Sequence, residues 1–242
     1  MSASDDRPSI LQATARNRVI AAYEVAPDRV APQLPDGLVP DTRDGRAFVT
    51  IVGVQLIKMR VLGVSGPGFR RVPAVELQVL VQETKAPDRR GTITVQAHVP
   101  RHVVAWGARV LYKEPVSVAP MQPVRRERGE TIEMTYRFDV AGREQRLRAV
   151  GTHPPVMPAP DTRGHFLVDR SWRYGAGPKG GRVRTRIERP VAPVCRVAEH
   201  HVTVQWRAVY GEEWGFLTNR EPTFAVLIPG SPVTLRWRER RK

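Results

Sequence analysis

A carboxylate set in an apolar strand is the first residue of this chain that could do chemistry. Glu76 lies within VPAVELQVLVQ, residues 72–82. Strand alternation gives Val75, Leu77, Val79 and Val81 one face and groups Glu76 with Ala74, Gln78 and Leu80 on the other. The apolar face is the core candidate, so Glu76 faces either solvent or a polar interior. If it is buried, its pKa rises and it could move a proton. The complementary group is a guanidinium. Arg18 or Arg109 could clamp a substrate carboxylate or enolate through two parallel hydrogen bonds; equally, Arg109 and Glu76 could form a structural ion pair. Two amines complete the inventory. Lys58 shares a strand face with Val54 and Leu56, and Lys113 lies just before Pro115. Either could form a Schiff base only if burial or a second cation kept it neutral.

Other chemistries lack their patterns. Of the six histidines, His98 and His102 are separated by Pro100, His200 and His201 point to opposite sides of a strand, and His153 and His165 stand alone. Zinc needs three or four converging ligands, so no metal is expected. No Gly-x-Ser-x-Gly elbow, phosphate-binding lysine loop or dinucleotide glycine fingerprint occurs, so no cofactor is expected. The single cysteine, Cys195, reads as a small core residue.

The elements that must position these groups are mostly strands. Alternation or apolar runs predict strands at 17–25, 47–62, 72–82, 92–97, 131–139, 143–150, 182–188, 202–210, 224–227 and 233–237. Residues 47–62 are apolar on both faces and should be covered on both sides; Gly53 within them marks a bend or a close backbone approach. Ala141-Gly142 predicts a hairpin turn, residues 85–91 a turn, and 175–181 a glycine-rich turn. A short helix follows Pro27, and Asp161 can cap a helix over 162–172. At the centre, His98 to Met121 reads as a short helix passed directly to a strand. Pro100 suits a first helical position, Val103, Trp106, Val110 and Leu111 recur at helical spacing, and Pro115 ends the pattern.

The chain has 242 residues, 41% of them hydrophobic, ample for a core. No linker or repeat divides it, so one domain over 1–242 is expected, with a core of about 12–238, a flexible N-terminal tail and a basic C-terminal tail. There is no membrane-length apolar run and no apolar leader, which reads as a cytoplasmic protein. The net charge of +15 rests on 34 arginines against five lysines. The arginines are dispersed and alternate with apolar residues, as on solvated strand faces, whereas a nucleic-acid groove would cluster them among aromatics. A basic protein on nucleic acid or an anionic surface is thus the last of three readings.

A family resemblance orders the other two. Ala108-Arg109, Tyr112, Pro115, Ala119 and Met121, the Leu34-Pro35-Asp36-Gly37-Leu38 turn, and the run from Phe166-Leu167 through Asp169-Arg170 to Trp172–Tyr174 resemble the DUF2071 family, which is related to acetoacetate decarboxylase. The resemblance implies an α+β, mostly antiparallel barrel or cone with a few short helices. In the decarboxylase two lysines follow the proline; alignment puts Val116 and Ser117 there, so the Schiff-base nucleophile is gone. Asn17-Arg18 and Glu76 resemble an arginine and a glutamate of its active site. The resemblance therefore implies Glu76, Arg109 and Ser117 as catalytic candidates and Arg18, Val116 and Lys58 as ligand contacts, around a small molecule in the barrel cavity. Two readings follow: a lyase, dehydratase or cyclase on a small carbonyl or carboxylate compound, or a non-catalytic binder. Self-association is left open.

Overall fold

The computed structural model describes residues 7–176 and 182–241. Strands β1 (Ser9–Val25), β2 (Leu38–Pro40), β3 (Ala47–Val61), β4 (Arg71–Glu83) and β5 (Ala86–Val99) lead into helix α1 (His102–Tyr112). Then come β6 (Val116–Val118), β7 (Met121–Arg128), β8 (Thr131–Val140), β9 (Arg143–Val156) and helix α2 (Arg163–Val168). β10 (Trp172–Ala176), β11 (Arg182–Glu188), β12 (Val194–Thr203), helix α3 (Trp206–Tyr210), β13 (Phe224–Arg236) and β14 (Glu239–Arg241) complete the order. The fold is α+β and mostly antiparallel.

One run of the sheet, β11-β10-β5-β4-β3-β1-β13, closes on itself because β11 also pairs with β13, through Ile187 to Leu235 and Glu188 to Thr234. Only the pairings of β5 with β10 and with β6 are parallel. From β13 the sheet continues through β12, β9, β8 and β7. This extension packs on the outer face of the ring. Val75, Leu77 and Val79 of β4 and Val49 and Ile51 of β3 share one core with Ile132, Met134, Tyr136 and Phe138 of β8. Each fully buried side chain of this size stabilises by about 1.5–3 kcal/mol. The Val75, Leu77, Val79 and Val81 face, the core candidate of the sequence, is thus the core, and β3 is covered on both sides, as its two-faced apolarity requires.

The ring interior is layered along its strands. Ala15, Val54, Ala74, Val99, Ile187 and Val233 form an apolar cluster toward α1. Beyond the middle, Ile20, Phe48, Leu80 and Val226 pack with Phe166 and Leu167 of α2, which plug the other end. Between the two lies a polar layer.

Two bulges set which residues enter that layer. In β1, Asn17 adopts φ +51°, and the β1–β3 register shifts between Arg16 and Val19. Alternation therefore changes phase: Leu11 and Ala15 face inward before the bulge, Arg18 and Ile20 after it. The Tyr136 hydroxyl donates to Asn17 O at 2.8 Å, and Tyr136 can reach it because residue 53 is glycine. A Cβ there would meet the ring at 2.3 Å, the close approach that Gly53 implied. In β3, Lys58 makes the second phase change at φ +52°, so Leu56 and Met59 face inward while Lys58 is exposed.

Several sequence expectations need correction. Residues 9–11 are strand rather than tail, with Ile10 buried against solvent-free neighbours. Residues 86–91 continue β5, because pairing with β4 and β10 overrides their turn-like composition. Thr162, not Asp161, caps α2, its Oγ1 accepting from His165 N at 3.2 Å. The strand expected over 202–210 stops at Thr203, and α3 instead turns Trp206 and Tyr210 inward, with Trp206 edge-on to Tyr23. The segments 224–227 and 233–237 belong to one strand. Of the glycine-rich turn expected at 175–181, residues 177–181 lie outside the described residues. The Ala141-Gly142 hairpin forms, with positive φ at both positions.

Candidate functional site

Inside the ring lies a cavity of about 420 Å³. Its polar lining residues are Arg18, Glu76, Gln78, Glu114, Arg173 and Arg189; the other described lining residues are apolar. Each polar group enters by a different device. The Asn17 bulge turns Arg18 inward. Glu76 and Gln78 lie on the inward face of β4. Arg173 is the inward residue of β10, between Trp172 and Tyr174, which pack into the outer core. Arg189 follows β11. Glu114 is delivered by the end of α1, where Lys113 takes the left-handed conformation at φ +58° and Pro115 stops the helix.

Arg173 is the hub. Its Nη2 donates to Glu76 Oε2 at 2.8 Å and to Thr94 Oγ1 at 2.9 Å, and its Nε forms an ion pair with Glu114. Gln78 Nε2 also donates to Glu76 Oε2, at 2.5 Å. Burial disfavours the Arg173 cation, but Glu114 and Glu76 outweigh it and hold its pKa above the ordinary value. Glu114 goes the other way. Burial pushes its carboxyl up to about 7 against the pull of Arg173, and the Glu76 charge adds to the rise.

Arg18 is the unbalanced member. It is buried, and its Nη1 has no hydrogen-bond partner among the described residues. Burial and the Arg189 charge lower its pKa well below the arginine range, with Glu76 opposing. Arg189 is lowered to about 10 by burial and by Arg173. Three guanidinium groups therefore face two carboxylates, one of which titrates near neutrality. Such a layer calls for an anion.

Of the residues singled out from sequence, the cavity gathers Arg18, Glu76 and Val116. The others lie elsewhere. Arg109 is exposed on α1, and its Nε donates to Val116 O at 2.6 Å, so it braces the strand rather than lining the cavity or pairing with Glu76. Ser117, one residue beyond Val116, points to the opposite face. There its Oγ lies 2.8 Å from His98 Nδ1 and accepts from Gln96 Nε2 at 3.0 Å. His98 packs on Phe138 and Tyr210, and burial lowers its pKa to about 4. Lys58 is carried outward by its bulge, and Lys113 is exposed.

Sequence reasoning missed Glu114, Arg173 and Arg189. A signal existed for two of them: Glu114 sits immediately before the helix-ending Pro115, and Arg173 sits between two aromatics in a short strand. Arg189 carries none, being one arginine among 34.

A second arginine–carboxylate cluster lies on the ring's outer side. Glu83, buried, accepts from Arg184 Nη1 at 2.7 Å, Arg182 Nη2 at 3.2 Å, Arg89 Nη1 at 3.5 Å and the Tyr174 hydroxyl at 3.3 Å. Burial raises its pKa, but the arginines outweigh this and hold it low. At the plugged end, Asp41 pairs with Arg170 and accepts from Arg90 Nε at 2.8 Å; both guanidiniums lie 4.4 Å from the Phe166 ring centroid. Among the described residues no group of three His, Cys, Asp or Glu side chains could hold a metal ion, and no helix is long and apolar enough to cross a membrane.

The DUF2071 family, described as an uncharacterized conserved protein, matches residues 12–232. No curated protein matches the chain in sequence. Among solved structures it is similar to the enduracididine biosynthesis enzyme MppR with HEPES bound, at TM-score 0.70 and 17% identity over 99% of this chain and 90% of that one. The same enzyme complexed with pyruvate gives 0.68 and 16%, over 99% and 92%. An acetoacetate decarboxylase from Legionella pneumophila gives 0.68 and 14%, over 100% and 92%. At these identities the likeness shows the fold.

Proposed function

The chain belongs to the DUF2071 family, and from that premise we propose that its cavity is the active site of an enzyme acting on a small carboxylate or carbonyl compound without a Schiff base, as a lyase, dehydratase or cyclase. The observation that carries this reading is Arg18, a buried guanidinium that lines the cavity and whose Nη1 has no hydrogen-bond partner among the described residues. A carboxylate there would supply the missing acceptor and the missing negative charge, and a two-pronged clamp would fix its orientation. Arg189 faces the same space. The enduracididine biosynthesis enzyme MppR, of similar fold, forms a complex with pyruvate, which favours an oxo-acid or related carboxylate.

Glu114 is the proton donor in this reading. With burial pushing it up to about 7, this carboxyl exchanges its proton around neutral pH and can release or recover it over a small change in surroundings. Glu76, held by Arg173 and Gln78, is the partner that keeps Arg173 in place. Imine chemistry has no support, because none of the described lining residues is a lysine. Borohydride added with pyruvate or acetoacetate should leave the protein mass unchanged; a trapped adduct would restore a Schiff-base enzyme.

A non-catalytic binder is the second reading, favoured by one fact: both carboxylates are already engaged by one guanidinium. Glu114→Gln separates the two. An enzyme should lose about 100-fold or more in turnover while keeping most of its ligand affinity; a binder has no turnover to lose.

A further inference from the structure

The lining of this cavity divides sharply. Its charged and amide groups all lie in the one layer around Arg18 and Arg173, whereas from there to α1 the described wall is hydrocarbon. Val54 and Leu56 of β3, Val72 and Ala74 of β4, and Leu235 of β13 form the sides, and Ala108 of α1 lies in the roof. Trp106, two-thirds exposed, stands at the mouth. A short oxo-acid would satisfy Arg18 and leave this length of wall facing water or nothing, and apolar cavities of this kind wet poorly. We propose that the ligand is a medium-chain monocarboxylate, its head on Arg18 and Arg189 and its alkyl chain extended along the hydrocarbon wall beneath α1. This rests on the carboxylate reading above and adds the tail.

The polar layer has a place for the head of one ligand, and the rest of the described wall offers no second one. Arg173 is committed to Glu76 and Glu114, which leaves Arg18 and Arg189 for the ligand. A dicarboxylate would have to bury its second charge against Val and Leu side chains, where no described partner exists. The geometry therefore selects against polar diacids as well as against short acids.

The test is calorimetric titration of the full-length protein with acetate, butanoate, hexanoate, octanoate and decanoate, each below its aggregation concentration, together with decan-1-ol and decanedioate. The proposal expects affinity to rise about fourfold per added methylene until the wall is covered, with decan-1-ol and decanedioate each at least tenfold weaker than decanoate. Ala108→Glu, which sets a charge in the roof, should weaken decanoate and leave acetate unchanged; if that variant does not fold, the wild-type series decides alone. Acetate or pyruvate binding as tightly as decanoate would overturn the tail while leaving the arginine clamp intact. Equal affinity for decan-1-ol and decanoate, unaltered by Arg18→Met, would overturn the proposal together with the carboxylate reading beneath it.

Discussion

Glu83 and Glu114 are both buried glutamates held by arginine, and their surroundings move them in opposite directions. Around Glu83 three arginines and a tyrosine converge on one carboxylate, and its pKa falls. Around Glu114 one arginine is shared with a second carboxylate, and burial wins. In the first cluster every guanidinium has a carboxylate within ion-pair reach. In the second, Arg18 has no carboxylate in ion-pair reach among the described residues, and its Nη1 has no hydrogen-bond partner among them. The first cluster reads as a brace of the fold; the second is the one on which the proposed carboxylate would sit.

The largest effect expected from this contrast is on Glu83. Glu83→Gln removes the buried carboxylate that Arg184, Arg182 and Arg89 share, leaving Arg184 only Glu239, and should cost roughly 3–5 kcal/mol of stability in urea unfolding, with carboxylate affinity per folded molecule unchanged. Loss of affinity at equal folding would break the distinction between the two clusters. Arg18→Met should do the reverse. It removes a buried cation with an unsatisfied Nη1, so stability should hold or rise, while carboxylate affinity should drop about 10- to 100-fold, the range for a hydrogen bond to a charged group. A destabilised Arg18→Met with intact affinity would make Arg18 structural.

The pH dependences should differ in sign. The folded-state pKa of Glu114 is raised from 4.5 to about 7. The folded protein therefore binds the extra proton, and this contribution to stability is complete below about 4.5 and is lost as pH rises through about 7. Glu83 is lowered, so its contribution is present above the ordinary carboxylate range and is lost on acidification. Glu114→Gln should flatten the neutral limb of the stability profile and spare the acid limb; the slope removed can reach about 1.4 kcal/mol per pH unit for one proton. A neutral limb that survives the substitution would mean that Glu114 is not the titrating group. The smallest effect belongs to Lys58→Ala, which should change stability by less than about 0.5 kcal/mol and ligand affinity not at all. A tenfold change in affinity would return that lysine to the site.

How far the sequence could be read follows from which signals are local. The ring strands were legible because their apolar periodicity survives tertiary packing, and Glu76 was legible because a carboxylate interrupts one such period. Arg18 was reached through resemblance; alternation running on from Leu11 and Ala15 would have turned it outward, since the Asn17 bulge depends on Tyr136, more than a hundred residues away. Lys58 was misplaced for the same reason, a bulge invisible to strict alternation. Ser117 and Val116 show how much one residue matters in a strand, where a single step exchanges the cavity for the opposite face. Arg173 and Arg189 were hidden by abundance, because an arginine among 34 carries little information until its neighbours are known.

The pairing of β1 with β13 joins residues 9–25 to residues 224–236, and β13 also meets β11 to close the ring. For a chain emerging from a ribosome, this fixes the order of events. Until β13 is out, β1 and β11 each present an unpaired edge, and the pocket has no continuous wall. Contacts of such sequence separation form slowly, so the nascent chain must hold the open edge of β1, a standing invitation to another copy, for most of its synthesis, joined by that of β11 near the end. A chain stopped before Phe224 should therefore be an aggregate rather than a smaller protein.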